Sequence, residues 1–317
     1  MESDRDRPHS ERYFTDARDH WWHEDYLALL AKRIGLSTVR TALEVGAGQG
    51  HFARAWAPHL NPGFAFTAVD REERSLAVAR ARCEDFCAAR GLQGTWDFVR
   101  AHAERLPFED GTFDMVCCQT LLIHLRDPRE GAREMIRVCK PGGLVVAVEP
   151  NNLAGLQRLA IAGPDADLES QLREVAFLLR CSRGKAALGL GWNHLGAQLP
   201  ELFRGLDALQ CFNNDRAWAM SPPYDHPQQR AALDDLRTAV ADRVFIWDRD
   251  EARRYFTAGG GAREDFERDY DLLLAAQSAE LEACLAGRWS ELTAFAGLIV
   301  AGRKPTEERA ARGEGAR

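Results

Sequence analysis

Three alternating glycines, Gly46, Gly48 and Gly50, follow directly on the apolar run Leu43-Glu44-Val45, and a carboxylate, Asp70, closes the next apolar run. Glycines in such a turn let backbone N–H groups approach a ligand. An acid at the end of the following strand is placed to accept hydrogen bonds from ribose hydroxyls. The chemistry on offer is therefore nucleoside binding. A nicotinamide-dinucleotide fingerprint needs a third glycine in the G-x-G-x-x-G register, and His51 occupies that position. On its own the triplet is equally a plain strand-to-helix turn. Glu44 and Asp70, both at strand ends, turn the reading toward a site.

Strand–helix alternation has to position these residues. Helical spacing of Tyr26, Leu27, Leu29, Leu30 and Ile34 predicts a helix over Glu24–Ile34. Apolar strands follow at Ala42–Val45, Phe64–Val69, near Phe98, at Phe113–Cys118 and at Leu144–Val148. Helices are expected between them at Phe52–Ala57, Ser75–Arg90 and Arg129–Val138. Strands that are apolar throughout, separated by helix-length segments, predict an α/β fold with a doubly wound, mostly parallel sheet. The rhythm changes after Pro150. Residues 153–190 are rich in alanine and leucine, a helix is expected near Leu195–Phe203, and Ala208–Phe212 and Phe295–Ala301 resume the strand pattern. Residues 216–290 read as helices broken at Ser221-Pro222-Pro223 and Gly259-Gly260-Gly261. The resulting division is an N-terminal helical lid segment (1–37), a nucleoside-binding core (38–152), a remainder (153–303) with helical cap insertions at about 153–190 and 216–290, and a polar disordered tail (304–317).

Composition narrows the partners. The net charge of −7 gives no global attraction to phosphate backbones or anionic lipid, and the arginines at 71, 74, 80 and 82 alternate with Glu72, Glu73 and Glu84 as on a solvated helix face. Neither nucleic acid nor a membrane is expected as a partner. Eight cysteines occur without a C-x-x-C pair, which argues against a zinc site or a disulfide framework and suits a reducing cytoplasm. The N-terminus is polar, and no apolar run approaches the roughly 20 residues that span a bilayer.

Taken in order, the motifs resemble class I S-adenosylmethionine-dependent methyltransferases, in particular the methyltransferase type 11-like group acting on small molecules. Leu43-Glu-Val-Gly-Ala-Gly-Gln-Gly50 is similar to that family's first motif and Val69-Asp70 to its second. Ala103-Glu-Arg-Leu-Pro-Phe108 with Asp110-Gly-Thr-Phe-Asp114 resembles the segment that lines adenine and enters the fourth strand. Leu122-Ile-His-Leu-Arg-Asp-Pro128 and Arg137-Val-Cys-Lys-Pro-Gly-Gly143 resemble the landmarks that follow. The likeness covers about residues 40–152.

The resemblance implies a Rossmann-like core with S-adenosyl-L-methionine as cofactor, and it implies roles by position. Backbone at Gly46, Ala47, Gly48 and Gly50 packs on the methionine portion, and Glu44 approaches its ammonium. Asp70, with Arg71 beside it, takes the ribose hydroxyls. Ala103 meets the adenine edge, and Gln119 lies near the transferring methyl. The position before Ala103 is commonly Asp in the family and is His102 here, which puts the contact to the adenine amino group in doubt. An N-terminal segment often closes over the cofactor in this family, which makes the aromatics Tyr13, Phe14, Trp21, Trp22 and Tyr26 a lid, with Tyr13 and Trp22 candidate contacts near the sulfonium; for Trp22 and Tyr26 the apolar side of one helix is an equal reading.

Methyl transfer needs a base only when the acceptor must lose a proton. Three histidines are candidates: His124 after the fourth strand, His20 beside Trp21 and Trp22, and His194 in Gly191-Trp-Asn-His. Each is also readable as a packing or capping histidine. Asn151, Asn152, Asn213 and Asn214 could bond a substrate or simply make turns, while Asp114 and Lys140 read as structural turn residues. The expectation is a methyltransferase acting on a small-molecule acceptor enclosed under a helical cap. Methylation of RNA or protein, a nicotinamide-dependent oxidoreductase and a non-catalytic binding scaffold are the alternatives. Oligomeric state stays open between monomer and homodimer.

Overall fold

The computed structural model describes residues 18, 20–152, 167–214, 217–294 and 297–306. Tyr13 and Phe14, residues 153–166 of the 153–190 stretch and most of the C-terminal tail lie outside the described residues.

A seven-stranded sheet forms the centre, in the order β3-β2-β1-β4-β5-β9-β6. Strands β1 (Thr41–Val45), β2 (Phe64–Asp70), β3 (Gly94–Arg100), β4 (Phe113–Gln119) and β5 (Cys139–Pro150) are all parallel. β9 (Gly297–Arg303) is inserted antiparallel between β5 and β6 (Asp207–Asn213). The central strands carry almost no polar residues because helices cover both of their faces. Alternate residues serve opposite layers: Met115 and Cys117 pack toward one core with Leu30, Phe52, Trp56 and Phe66, while Val116 and Cys118 pack toward the other with Met135, Leu199 and Phe203. The edge strands β3 and β6 are mostly exposed or half-buried.

The helices expected from spacing are present. α1 (Glu24–Ile34) has Glu24 and Asp25 in its first turn and Lys32 and Arg33 in its last, which complements the helix dipole, and it ends at Gly35 in the left-handed region. α2 (His51–Trp56) and α3 (Glu73–Arg90) follow β1 and β2. α4 (Pro128–Val138) starts with proline at its first position and with Asp127 accepting from the Arg129 N–H.

Beyond β5 come α5 (Leu168–Ala187), the short α6 (Leu199–Leu202) and then β6. Residues 217–290 correct the all-helical expectation. Ala217–Met220 is a strand, β7, paired antiparallel with β8 (Glu291–Ala294). β6 runs parallel to β1–β5, so its far end lies at the carboxyl edge of the sheet, and β7 and β8 stand between that end and the start of β9. α7 (Pro227–Ala241), α8 (Arg249–Ala258) and α9 (Arg263–Leu285) are therefore an insertion on the carboxyl side. α5 and α8 pack together around a core of their own, with Phe177, Tyr255, Phe256, Phe266 and Tyr270. A smaller cluster of Met220, Tyr224, Leu233 and Cys284 fixes α7 to α9. No described helix is long and apolar enough to cross a membrane.

Candidate active site

The ends of β1, β2 and β4 meet at one point of the carboxyl edge. Val45 pairs with Val69, and the N–H groups of Gly46 and Ala47 both donate to the Val69 carbonyl, at 2.8 and 2.9 Å. The chain then turns through Gly46, Gly48 and Gly50, with φ of 74°, 53° and 76°. These values belong to the left-handed region, where side chains are strained. A Cβ at Gly46 would lie 2.7 Å from Leu121 Cδ1, and one at Gly50 would lie 2.8 Å from Cys83 Sγ. Glycine is required by both conformation and space.

Asp70 braces this loop. Its Oδ2 accepts from the Gly48 N–H at 2.8 Å and its Oδ1 from the Glu72 N–H at 2.9 Å. An ionised carboxylate has about four acceptor positions, so two remain for a ligand's hydroxyl groups. Glu44 is 1% exposed, and its Oε2 has no hydrogen-bond partner. Burial pushes its carboxyl well above the usual range, the Ala53 N–H pulls it back, and the charge of Asp70 pushes it further up. A ligand ammonium at this point would supply the missing hydrogen bond and the countercharge together. The loop, the orphaned carboxyl oxygen and the half-filled Asp70 fit the methionine and ribose portions of S-adenosylmethionine.

The other expected residues distribute as follows. Ala103 is buried and His102 exposed, after a turn in which the Ala101 N–H donates to the Asp70 carbonyl at 3.1 Å. Arg71 is largely exposed and paired with Glu72 at 3.2 Å. Gln119 ends β4, and its Oε1 accepts from Trp22 Nε1 at 3.0 Å. The Trp22 ring stacks on Phe52 with centroids 5.7 Å apart. The segment before α1 thus reaches across to the end of β4. It is held there also by Asn214 Nδ2 donating to the Trp21 carbonyl at 3.1 Å. Asp114 and Lys140 form an ion pair at 2.7 Å, and Asp114 also accepts from the Arg40 and Thr41 N–H groups, a structural role at the opposite end of the sheet.

The three histidines differ. His124 is half-buried and closes the turn Leu122–His124 just after β4. His20 is half-buried, two residues before Trp22. His194 is 8% exposed, neither ring nitrogen has a hydrogen-bond partner, and burial lowers its pKa. Its loop is seated directly on the turn that bears His124: Gly191 has φ of 90°, and a Cβ there would lie 2.0 Å from the Ile123 carbonyl oxygen.

Glu149 was not singled out in the sequence. Fully buried near the end of β5, it accepts from the N–H groups of Leu121 at 2.9 Å, Leu122 at 2.7 Å and Ile123 at 3.4 Å, and so fixes the turn between Gln119 and His124. Lys185 of α5 is likewise buried and was also missed; a lone lysine in an alanine- and leucine-rich stretch was its only signal.

Residues 43–147 match the family model described as a methyltransferase domain. That match falls on the glycine loop, Asp70 and β4 together. These residues are thus similar to a methyltransferase domain. Among curated proteins, the ubiquinone/menaquinone biosynthesis C-methyltransferase UbiE of Pseudomonas entomophila (strain L48) is 36% identical over 119 residues, 37% of this chain and 45% of that protein. The same protein of Pseudomonas putida matches to the same extent. The chain thus spans just under half the length of the curated relatives it matches. Among solved structures, the BH2331 protein of Bacillus halodurans C-125 aligns with 89% of this chain and 100% of its own, at 21% identity and a TM-score of 0.48. Phosphoethanolamine N-methyltransferase 2 of Haemonchus contortus, in complex with S-adenosyl-L-methionine, aligns with 89% of this chain and 53% of its own, at 20% identity and a TM-score of 0.45. Both likenesses are too loose to bear on function. The helical layer formed by α5 and α7–α9 lies outside the matched residues.

Proposed function

We propose that the chain transfers a methyl group from S-adenosylmethionine to a small-molecule acceptor enclosed beneath the helical layer of α5 and α7–α9. The observation that carries this reading is the seat of the 188–194 loop. Gly191 presses on the backbone of Ile123 and His124, and Asn152 Nδ2 donates to the Asn193 carbonyl at 2.9 Å, so the end of α5 is fixed over the carboxyl ends of β4 and β5. In open α/β sheets acceptors bind at that edge. A layer fastened there encloses a small molecule and gives a long polymer little room.

When bound, S-adenosylmethionine supplies an electrophilic methyl on a sulfonium. Gly46–Gly50, Glu44 and Asp70 hold it in place, while Trp22, fixed by Gln119, shields the methyl-facing side from water. Holding the acceptor in line at about 3 Å supplies much of the acceleration. For an acceptor that must lose a proton, His124 and His194 are the histidines at the sheet edge, and His20 reaches it only with the Trp22 segment. The enzyme acts in the cytoplasm.

Methyl-labelled S-adenosylmethionine incubated with the protein and a fractionated cell extract tests the proposal. Label in the small-molecule fraction, with S-adenosylhomocysteine formed in equal amount, is the expected result. Label in RNA or protein contradicts the enclosed acceptor. Binding without turnover on any fraction supports a scaffold instead.

A further inference from the structure

Lys185 is 2% exposed, at the end of α5 where the helix meets the sheet edge. Its Nζ donates to Asn193 Oδ1 at 2.7 Å, and among the described residues no carboxylate pairs with it. A buried ammonium whose close partner is a neutral amide is costly to hold, and proteins rarely keep one without a use. Burial pulls the amine down to about 8, and the more distant charges of Glu251 and Glu149 only partly restore it, so the group remains mostly cationic at neutral pH.

Other buried polar groups of this junction are also incompletely bonded. His194, next to Asn193, leaves both ring nitrogens without partners. Ser182, three positions before Lys185 on α5 and 2% exposed, leaves its Oγ unpartnered. Asn151, beside the Asn152 that fastens the loop, leaves its Oδ1 unpartnered. A clamp serving only to hold the helical layer on the sheet would close its hydrogen bonds internally. A cation, an imidazole and a hydroxyl on α5 and the loop that follows it, and an amide oxygen beside the Asn152 that fastens this loop, thus all keep bonding capacity unused in buried positions. The cation is also an unusual choice for this chain, which has only four lysines, at 32, 140, 185 and 304, among 41 basic residues. An ammonium is a compact point charge suited to a single oxyanion, whereas a guanidinium suits a bidentate partner.

We propose that Lys185 and His194 form an oxyanion subsite for the acceptor, and that the acceptor carries an acidic hydroxyl, phenolic or enolic, at the methylated atom or conjugated to it. This rests on the methyltransferase reading above. The hydroxyl proton passes to a ring nitrogen of His194, and the oxygen keeps the electron pair against the Lys185 ammonium. That pair, from the oxygen or from the conjugated carbon, forms the new bond to the methyl carbon. The pair of the broken carbon–sulfur bond stays on sulfur, leaving S-adenosylhomocysteine, and His194 then releases its proton to water. The same groups bind a ready-formed anion with no proton transfer.

The test uses the full chain saturated with S-adenosylhomocysteine and labelled at lysine Cε, so that only four resonances are read. The probes are 4-nitrophenol, whose phenolate absorbs in the visible, and its uncharged ether 4-nitroanisole. The expected result is that 4-nitrophenol binds as phenolate and shifts the Lys185 resonance, while 4-nitroanisole leaves that resonance in place. Lys185→Met should weaken 4-nitrophenol about tenfold or more and leave S-adenosylhomocysteine affinity within about twofold. A Lys185 resonance untouched by 4-nitrophenol overturns the subsite, and so does equal affinity in the variant. The wild-type spectra decide the matter even if the variant fails to fold. Failure of the wild type to bind S-adenosylhomocysteine at all instead overturns the methyltransferase reading.

Discussion

Replacing Glu149 by Gln should remove a specific slope from the pH dependence of stability. Burial pushes this carboxyl up from an ordinary 4.5 to about 7, against the pull of the Leu122, Leu121 and Ile123 N–H groups and the Cys118 thiol. Because its pKa is raised in the folded state, the folded protein holds a proton that the unfolded chain has lost. The stability this gives is complete below about 4.5 and disappears as the pH rises through about 7. Between about pH 5 and pH 8 the loss amounts to about 2.5 kcal/mol. For a chain of this length that corresponds to about 4 °C in melting temperature. Glutamine keeps an oxygen to accept from Leu121 and Leu122 but does not titrate. Denaturant unfolding of both proteins across this range is the assay, and the variant should gain on the wild type by about 2.5 kcal/mol as the pH rises. Parallel stability curves would refute the reasoning, since they would mean that Glu149 titrates alike in the folded and unfolded chains.

Asp114→Asn tests the opposite sign. Burial pushes that carboxyl up, but Lys140 and the Thr41 and Arg40 N–H groups outweigh it and hold it at about 2. Its stabilisation is present above the ordinary 3.8 and lost as the pH falls through about 2. The substitution should cost about 1 kcal/mol at neutral pH, a figure kept small because the pair is partly exposed, and melts at neutral and acid pH would show the difference vanish. Gly50→Ala, forced to place a Cβ 2.8 Å from Cys83 Sγ at a φ of 76°, should lose about 1–3 kcal/mol of stability, read by thermal unfolding. Trp22→Phe keeps the stack on Phe52 but removes the donor to Gln119, and calorimetry should show cofactor affinity lower by about fivefold.

The first half of the chain was legible because local and global signals agree there. Helix α1 ends at the residues the sequence indicated, since an apolar stripe, acids at the start and a glycine at the stop all mark the same span. Glycines in alternation could be read as a site because their conformation is written in their residue type. The second half was less legible. Strand β7 is four residues long and pairs with β8 across three intervening helices, so no local alternation announces it. Glu149 looks in sequence like a solvated acid before a proline, and only the three inward-pointing N–H groups of the turn after β4 give it a buried role. Lys185 and His194 lie only nine positions apart, but it is the close approach of Gly191 to Ile123 and His124 that seats their segment on the turn after β4. Such a contact depends on tertiary packing that no local pattern encodes.

The most direct test of the cofactor site is calorimetry of S-adenosylhomocysteine binding to the wild type and to Asp70→Ala. Two hydrogen bonds from ribose hydroxyls to an ionised carboxylate should make the variant about a hundredfold weaker. Wild-type protein that does not bind, or a variant that binds as tightly as the wild type, would contradict the account.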